Sequence, residues 1–390
     1  MAQEKITFKP ARGVLQWARE SVGATVADVA SRLGVTPETV AKWESGERAV
    51  LISRLEALAH FYRRPLAALF LPAPPETVPL PHDFRTLPAG EKAPLSRQTL
   101  MTIREARRIQ RVARELAEDL GQAPAAIVPA VDAHVSPEHV AARERQRIAV
   151  TVSEQRGWRQ SHIALKNWLG AMENLGILVL QFPMPLEDAR GFSLSEDPPP
   201  VLVLNSGDAA SARIFTLFHE YAHVLRGSSA LCIPAESAET RSHDRHEETF
   251  CNAFAGAFLV PVDAFTDALA GRRADDQVIG ELAGEFSVSQ HVVLHRLKAL
   301  GFLSSETFER RLHELESRQA EIVRRKGKVR RSAAQRCIGT RGRRFVRLVL
   351  GARARDLITS RDVADYLSVR VRHFDAVEAI AGEAEASAPR

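Results

Sequence analysis

Ile214-Phe215-Thr216-Leu217-Phe218-His219-Glu220-Tyr221-Ala222-His223 is the stretch on which the reading of this chain turns. Ile214, Leu217, Phe218, Ala222 and Leu225 recur at helical spacing and predict a largely buried helix over Ala209–Leu225. Two histidines four apart share one face of that helix, so His219 and His223 can bind a single Zn2+. Glu220 sits beside them, within reach of a water that the metal activates. Zinc brings the pKa of such a water to about 7, and a neighbouring carboxylate takes its proton as a carbonyl is attacked and returns it to the leaving amine. The spacing therefore points to hydrolysis, with Glu220 as general base. Tyr221 and His243 are the candidates for a donor that stabilises the oxyanion.

A catalytic zinc takes three protein ligands and leaves one position open. Glu247 and Glu248 open a second predicted helix, running to Leu259 and closed by Pro261. Glu248 is the preferred third ligand, because Asn252, Ala255 and Leu259 continue its face at helical spacing. Glu247 is its rival, and His243, His246 and Cys251 are near enough in sequence to compete.

Working outward, Ile163–Leu175 reads as a helix, and Gly176 separates it from Ile177–Phe182, a β-branched run that reads as a strand. Val201–Leu204 reads as another strand, and Ser193 lies in a shorter one beginning after Gly191. Short helices follow at Ile279–Phe286 and Gln290–Leu300, with further ones at Leu100–Leu120, Ser136–Val150 and Ser360–Leu367. Pro72–Pro94 is rich in proline with little periodicity and marks a domain break.

The N-terminal part reads as wholly helical. Thr25 with Asp28 forms a capping box before Val26–Leu33, Gly34 ends that helix, and Thr36 caps a third helix with Pro37 in its first position. That helix stops at Gly46, and Arg54–Tyr62 and Pro65–Leu71 follow as helices.

The chain of 390 residues is long enough for several units with real cores. A hydrophobic share of 45% with 26% charged residues excludes a wholly disordered or fibrous chain. There is no apolar run of spanning length and no secretory signal, and three cysteines at wide spacing make no disulfide framework, so a cytoplasmic protein is expected. The net charge of +5 is local: Arg318–Arg355 holds fourteen Lys or Arg against Glu321 alone, leaving −8 elsewhere. Such a block either attracts polyanions or docks onto the rest of the chain.

Arg213 to His223, preceded by Val201-Leu202-Val203-Leu204-Asn205, resembles the ImmA/IrrE family of zinc metallopeptidases. Glu248 to Pro261 is similar to that family's second signature, with Cys251 where Ala is usual and Phe258 where Leu is common. The resemblance implies zinc on His219, His223 and Glu248, and Glu220 as general base. Leu15-Gln16-Trp17-Ala18-Arg19 through Trp43-Glu44-Ser45-Gly46 resembles the Xre-type, lambda-repressor-like helix-turn-helix. It implies a recognition helix at Thr36–Ser45 that offers Thr36, Glu38, Thr39 and Lys42 to the major groove. Eight basic against six acidic residues between Pro10 and Pro72 neutralise few phosphates, which keeps protein contact open as another use of this module.

The expected fold is α+β and multidomain: an all-α helix-turn-helix domain at 10–72, a proline-rich linker and helical connector at 73–150, and a mainly helical zinc peptidase domain with a small β-sheet at 151–265. A helical subdomain at 266–305 and a basic helical region at 306–390 complete it. Proteins joining these modules resemble stress or mobile-element regulators in which the peptidase cuts a repressor or antitoxin. The expected partners are DNA through the helix-turn-helix and such a protein as substrate, with no membrane, and a homodimer is left open. The alternative is a DNA-binding repressor or antitoxin whose zinc site is structural or idle; self-cleavage near Pro72–Pro94 is a third.

Overall fold

The computed structural model describes residues 6–76, 95–122, 130–132, 134–228, 230–232, 242–322 and 331–382. Residues 6–76 with 95–104 form one compact unit, and the described residues from 105 onward form the other. Of the proline-rich connector, 77–94 lies outside the described residues.

In the first unit the polar residues that flank each apolar run fix the element ends. α1 (Val14–Glu20) precedes α2 (Val26–Leu33), where Thr25 and Asp28 form the reciprocal capping box and Gly34 closes the helix at φ 62°. Thr36 accepts the Thr39 N–H to start α3 (Pro37–Glu44), and α4 (Ile52–Tyr62) follows. Leu15, Val29, Val40, Trp43, Leu55, Leu58 and Tyr62 bury their side chains together. The Arg19 guanidinium ties α1 to α3 by gripping both Glu44 carboxylate oxygens, at 2.7 and 3.0 Å, in a largely buried pair.

Two details depart from the sequence reading. The unit is not wholly helical, because β1 (Thr7–Phe8) pairs antiparallel with β2 (Val50–Leu51). Two-residue strands are too short to show alternation. The predicted helix at Pro65–Leu71 is a 3-10 turn, Leu66–Phe70, too short between prolines for α-type bonds to accumulate.

α5 (Arg97–Asp119) carries the division between the units, between Arg104 and Glu105. The second unit continues with α6 (Pro137–Ile148), α7 (Val152–Trp158), α8 (Ser161–Asn174), β3 (Leu178–Phe182), β4 (Gly191–Leu194), β5 (Val201–Asn205) and α9 (Ala210–Leu225). β6 (Leu231–Cys232), α10 (Ser242–Leu259), α11 (Val262–Leu269), α12 (Asp276–Glu285), α13 (Gln290–Ala299) and α14 (Ser305–Ile322) follow. Its sheet has the order β3-β5-β4-β6, with β3 parallel to β5 and the other pairs antiparallel. β5 is buried at every residue, which is why Val201-Leu202-Val203-Leu204 reads as an unbroken apolar run. α8 and α9 pack on this sheet, α10 packs on α9, and α6 on α10, around Trp168, Phe218, Phe254 and Phe258.

The C-terminal region is helical, as expected: α15 (Ala333–Arg341), α16 (Arg343–Ala354), α17 (Ser360–Leu367) and α18 (Phe374–Gly382). α15 packs along β3, an edge strand, and Gln181 donates to the Gly339 carbonyl at 2.9 Å. Several arginines of the basic block turn inward: Arg343 donates to the Ile380 carbonyl, Arg347 to that of Ala381, Arg355 to that of Leu120, and Arg341 pairs with Glu105. Residues 323–330 of the block lie outside the described residues. Among the described residues no single helix is long and apolar enough to cross a membrane.

Candidate metal centre

α9 and α10 place the candidate ligands. Apolar residues hold α9 in the core along most of its length, so His219, Glu220 and His223 are buried with it. The two imidazoles stand with their Nε2 atoms 3.2 Å apart. Glu248, on the second turn of α10, brings Oε2 to 3.4 Å from His219 Nε2 and Oε1 to 3.3 Å from His223 Nε2. One ligand atom from each of the three lies within 4.8 Å of the others, close enough to share an ion. Burial pushes the Glu248 carboxyl up, but hydrogen bonds and charge from both imidazoles hold it well below the usual carboxylate range.

Glu220 differs. It is fully buried, and neither carboxylate oxygen has a hydrogen-bond partner of normal geometry. Burial drives its carboxyl up to about 7, against the lowering influence of His223, His219 and neighbouring Ser193. An orphaned carboxyl that titrates near neutrality beside two imidazoles is suited to taking and giving a proton. The centre leaves no room for a side chain on the passing strand. A Cβ on Gly191 of β4 would meet Thr216 Cγ2 at 2.5 Å, the Val203 carbonyl at 2.7 Å and Glu220 Cγ at 3.6 Å, so only glycine lets β4 run this close to α9.

A polar layer that the sequence reading did not identify orients both imidazoles. His219 Nδ1 donates to Asn252 Oδ1 at 3.0 Å, and His223 Nδ1 is hydrogen-bonded to Ser228 Oγ at 3.3 Å. Ser228 donates in turn to Glu247 Oε1 at 3.2 Å, and Arg226 holds Glu247 Oε2 at 3.1 Å. Asn252 was visible as a member of the Glu248 face and as the Asn that follows the Glu in the second signature, without this role. Ser228, just past Gly227 in the chain, carries no sequence signal.

The remaining candidates fall elsewhere. Tyr221 is fully buried and donates to Glu144 Oε2 at 2.7 Å, so its hydroxyl is committed to the core and does not serve as an oxyanion donor. His246 is exposed, and the side chain of His243 lies outside the described residues. Cys251 groups with His223 and Glu247 in a second possible ligand set. Burial, with Glu247 adding to it, raises that thiol well above its ordinary value, and Glu247 already pairs with Arg226. A ready thiolate is lacking there.

On α3, Thr36 is exposed but spends its hydroxyl on capping, and Thr39 is half-buried. Glu38 and Lys42 are exposed and paired with each other at 2.7 Å.

Residues 172–298 match the family model described as the IrrE N-terminal-like domain, a peptidase family. The chain carries an IrrE-like domain. The match contains α9 and α10 and every residue of the metal centre named above. Residues 15–69 match a helix-turn-helix family model, so this IrrE-like domain follows a helix-turn-helix domain, as the two resemblances implied. No curated protein matches the chain. Among solved structures it is similar to a "Mycobacterium tuberculosis transcriptional regulator", at 17% identity and TM-score 0.30, over 48% of this chain and 51% of that one. The chain thus spans about half the length of that structure.

Proposed function

We propose that this chain is a zinc-dependent endopeptidase of the HExxH type, joined to a DNA-binding helix-turn-helix, which works in the cytoplasm. In this reading it cleaves a repressor or antitoxin protein in a stress or mobile-element response. The observation that carries the reading is the convergence of His219, His223 and Glu248 around one point with the unpartnered Glu220 carboxyl beside them. Two imidazoles and a carboxylate form a donor set that zinc favours, and the orphaned oxygens of Glu220 await a water or substrate partner. His219, His223 and Glu248 would hold the metal, which when bound supplies Lewis acidity toward a carbonyl and acidifies water.

The chain's own residues do the rest. Asn252 and the Ser228–Glu247 pair hold the imidazole rings by their Nδ1 atoms, which keeps both Nε2 atoms aimed at one point. Glu220 takes the proton of the attacking water and passes it to the leaving nitrogen. Its near-neutral carboxyl suits both halves of that transfer. The helix-turn-helix brings the peptidase to DNA, where a repressor would be found.

Metal analysis of the full chain tests the reading. One zinc per chain is expected in the wild type and in Glu247→Ala, with occupancy lost in Glu248→Ala. Full occupancy in Glu248→Ala with loss in Glu247→Ala would refute the ligand assignment. Stoichiometric zinc without proteolysis of any bound partner would favour a repressor or antitoxin with an idle site.

A further inference from the structure

The arginines of the C-terminal region divide into two kinds. Arg341, Arg343, Arg347 and Arg355 are consumed by Glu105 or by main-chain carbonyls of neighbouring elements. Arg336, Arg370 and Arg372 pair with no carboxylate among the described residues, although Arg336 donates to the Arg331 carbonyl at 2.8 Å and Arg372 Nε reaches His373 Nε2 at 3.3 Å. Together with the Glu105-paired Arg341, they line one cavity of about 550 Å³ between α15 and the segment joining α17 to α18. Among the described residues, none of these three has a carboxylate partner and no acidic side chain lines the cavity. All three are exposed, so their charge reaches the cavity without a competing ion pair.

The rest of the lining has a second character. Cys337 and Leu367 are buried and give the cavity an apolar floor, while Thr340 and Ser368 contribute hydroxyls at the wall. The volume falls in the range of small-molecule sites. Guanidinium forks match phosphate oxygens bidentately, and three uncompensated ones around a concavity favour a ligand whose charge is concentrated at one end. The apolar floor favours a ligand with an organic remainder. A duplex spreads its phosphates along a rod and fits a convex or extended basic face better than a pocket.

We propose that the cavity bounded by Arg336, Arg370 and Arg372 is a binding site for a small organic phosphate. The site is independent of the zinc reading, since none of its residues belongs to the metal centre.

Isothermal titration of the full chain with ADP in metal-free buffer tests it, with inorganic pyrophosphate and adenosine as separate probes. Saturable binding of ADP at one site is expected, with weaker binding of pyrophosphate and none of adenosine. The double variant Arg370→Ala/Arg372→Ala should weaken ADP by at least about tenfold, and Arg336→Gln by less. Arg361→Ala, an exposed arginine of α17 that does not line the cavity, should leave it unchanged. Unaltered thermal melting of Arg336→Gln guards against a folding artefact. The absence of saturable binding of ADP and pyrophosphate up to about 5 mM would overturn the proposal. So would equal affinity in the double variant, or a double variant that loses affinity for duplex DNA while the wild type ignores both phosphates.

Discussion

Asn252 Oδ1 accepts a hydrogen bond from His219 Nδ1 at 3.0 Å, from a position one helical turn beyond Glu248 on α10. One helix thus supplies both the carboxylate that faces His219 Nε2 and the amide that fixes the ring's other nitrogen. Partners of this kind set the tautomer and orientation of a ligating imidazole, and their loss costs about 10- to 100-fold in metal affinity. Asn252→Ala should therefore weaken zinc by that factor, read by competition with a chelator, while the chain still folds. Unchanged affinity would show that packing alone orients His219.

Glu173, buried at the end of α8, accepts the Arg344 N–H at 3.2 Å, yet burial drives its carboxyl up to about 7. Its folded pKa lies above the ordinary value of 4.5, so the native state binds the proton more tightly than the unfolded chain. The associated stability is complete below about pH 4.5 and is lost as pH rises through 7, by about 3 kcal/mol at most. Glu173→Gln should flatten that decline. Denaturant midpoints at about pH 5 and pH 8 measure it, and parallel declines in both proteins would refute the assignment.

Gly342 links α15 to α16 at φ 75°, where a Cβ would stand 2.5 Å from the Val179 carbonyl and 2.6 Å from Glu173 Oε1. Both the left-handed backbone and the close approach exclude a side chain. Gly342→Ala should cost about 2 kcal/mol or more in a denaturant titration of the full chain. A cost within about 0.5 kcal/mol would mean that this joint relaxes freely.

Much of this was legible in the sequence for physical reasons that can be named. Thr25, Thr36 and Gly34 punctuate helices because orphan backbone groups need caps, and each performs that task. His219 and His223 share a face because four residues span about one turn, which no tertiary context alters. Helical periodicity preferred Glu248 to Glu247 because Asn252, Ala255 and Leu259 continue its face; in the fold Glu248 faces the imidazoles and Glu247 faces Arg226. Three features left little trace: β6 and the two-residue ladder of the first unit are too short for alternation, α7 and α11 are about two turns each, and Gly191 shows its purpose only once β4 lies against α9. The basic block was legible as charge. Which arginines clamp carbonyls and which line a cavity depends on helices far apart in sequence.

On α3, Lys42 is exposed and its ammonium rests on Glu38. An exposed pair of this kind is weak and yields readily to a phosphate or base edge. Lys42→Ala should weaken binding to a promoter fragment, probed first with the DNA upstream of the chain's own gene. If Lys42 contacts a phosphate, the salt slope should fall by about 0.9. Equal affinity and slope would move the helix-turn-helix toward protein contact.

The central claim is that Glu220 moves the proton in a zinc-assisted hydrolysis. The most direct measurement uses a partner retained from the native host by the zinc-loaded Glu220→Gln chain, and compares its cleavage by wild type and variant at equal zinc occupancy. The amide keeps the shape of the side chain but cannot accept a proton, so cleavage should fall by about 10³-fold with zinc and melting temperature unchanged. Cleavage by Glu220→Gln at a rate within about threefold of wild type would contradict the account.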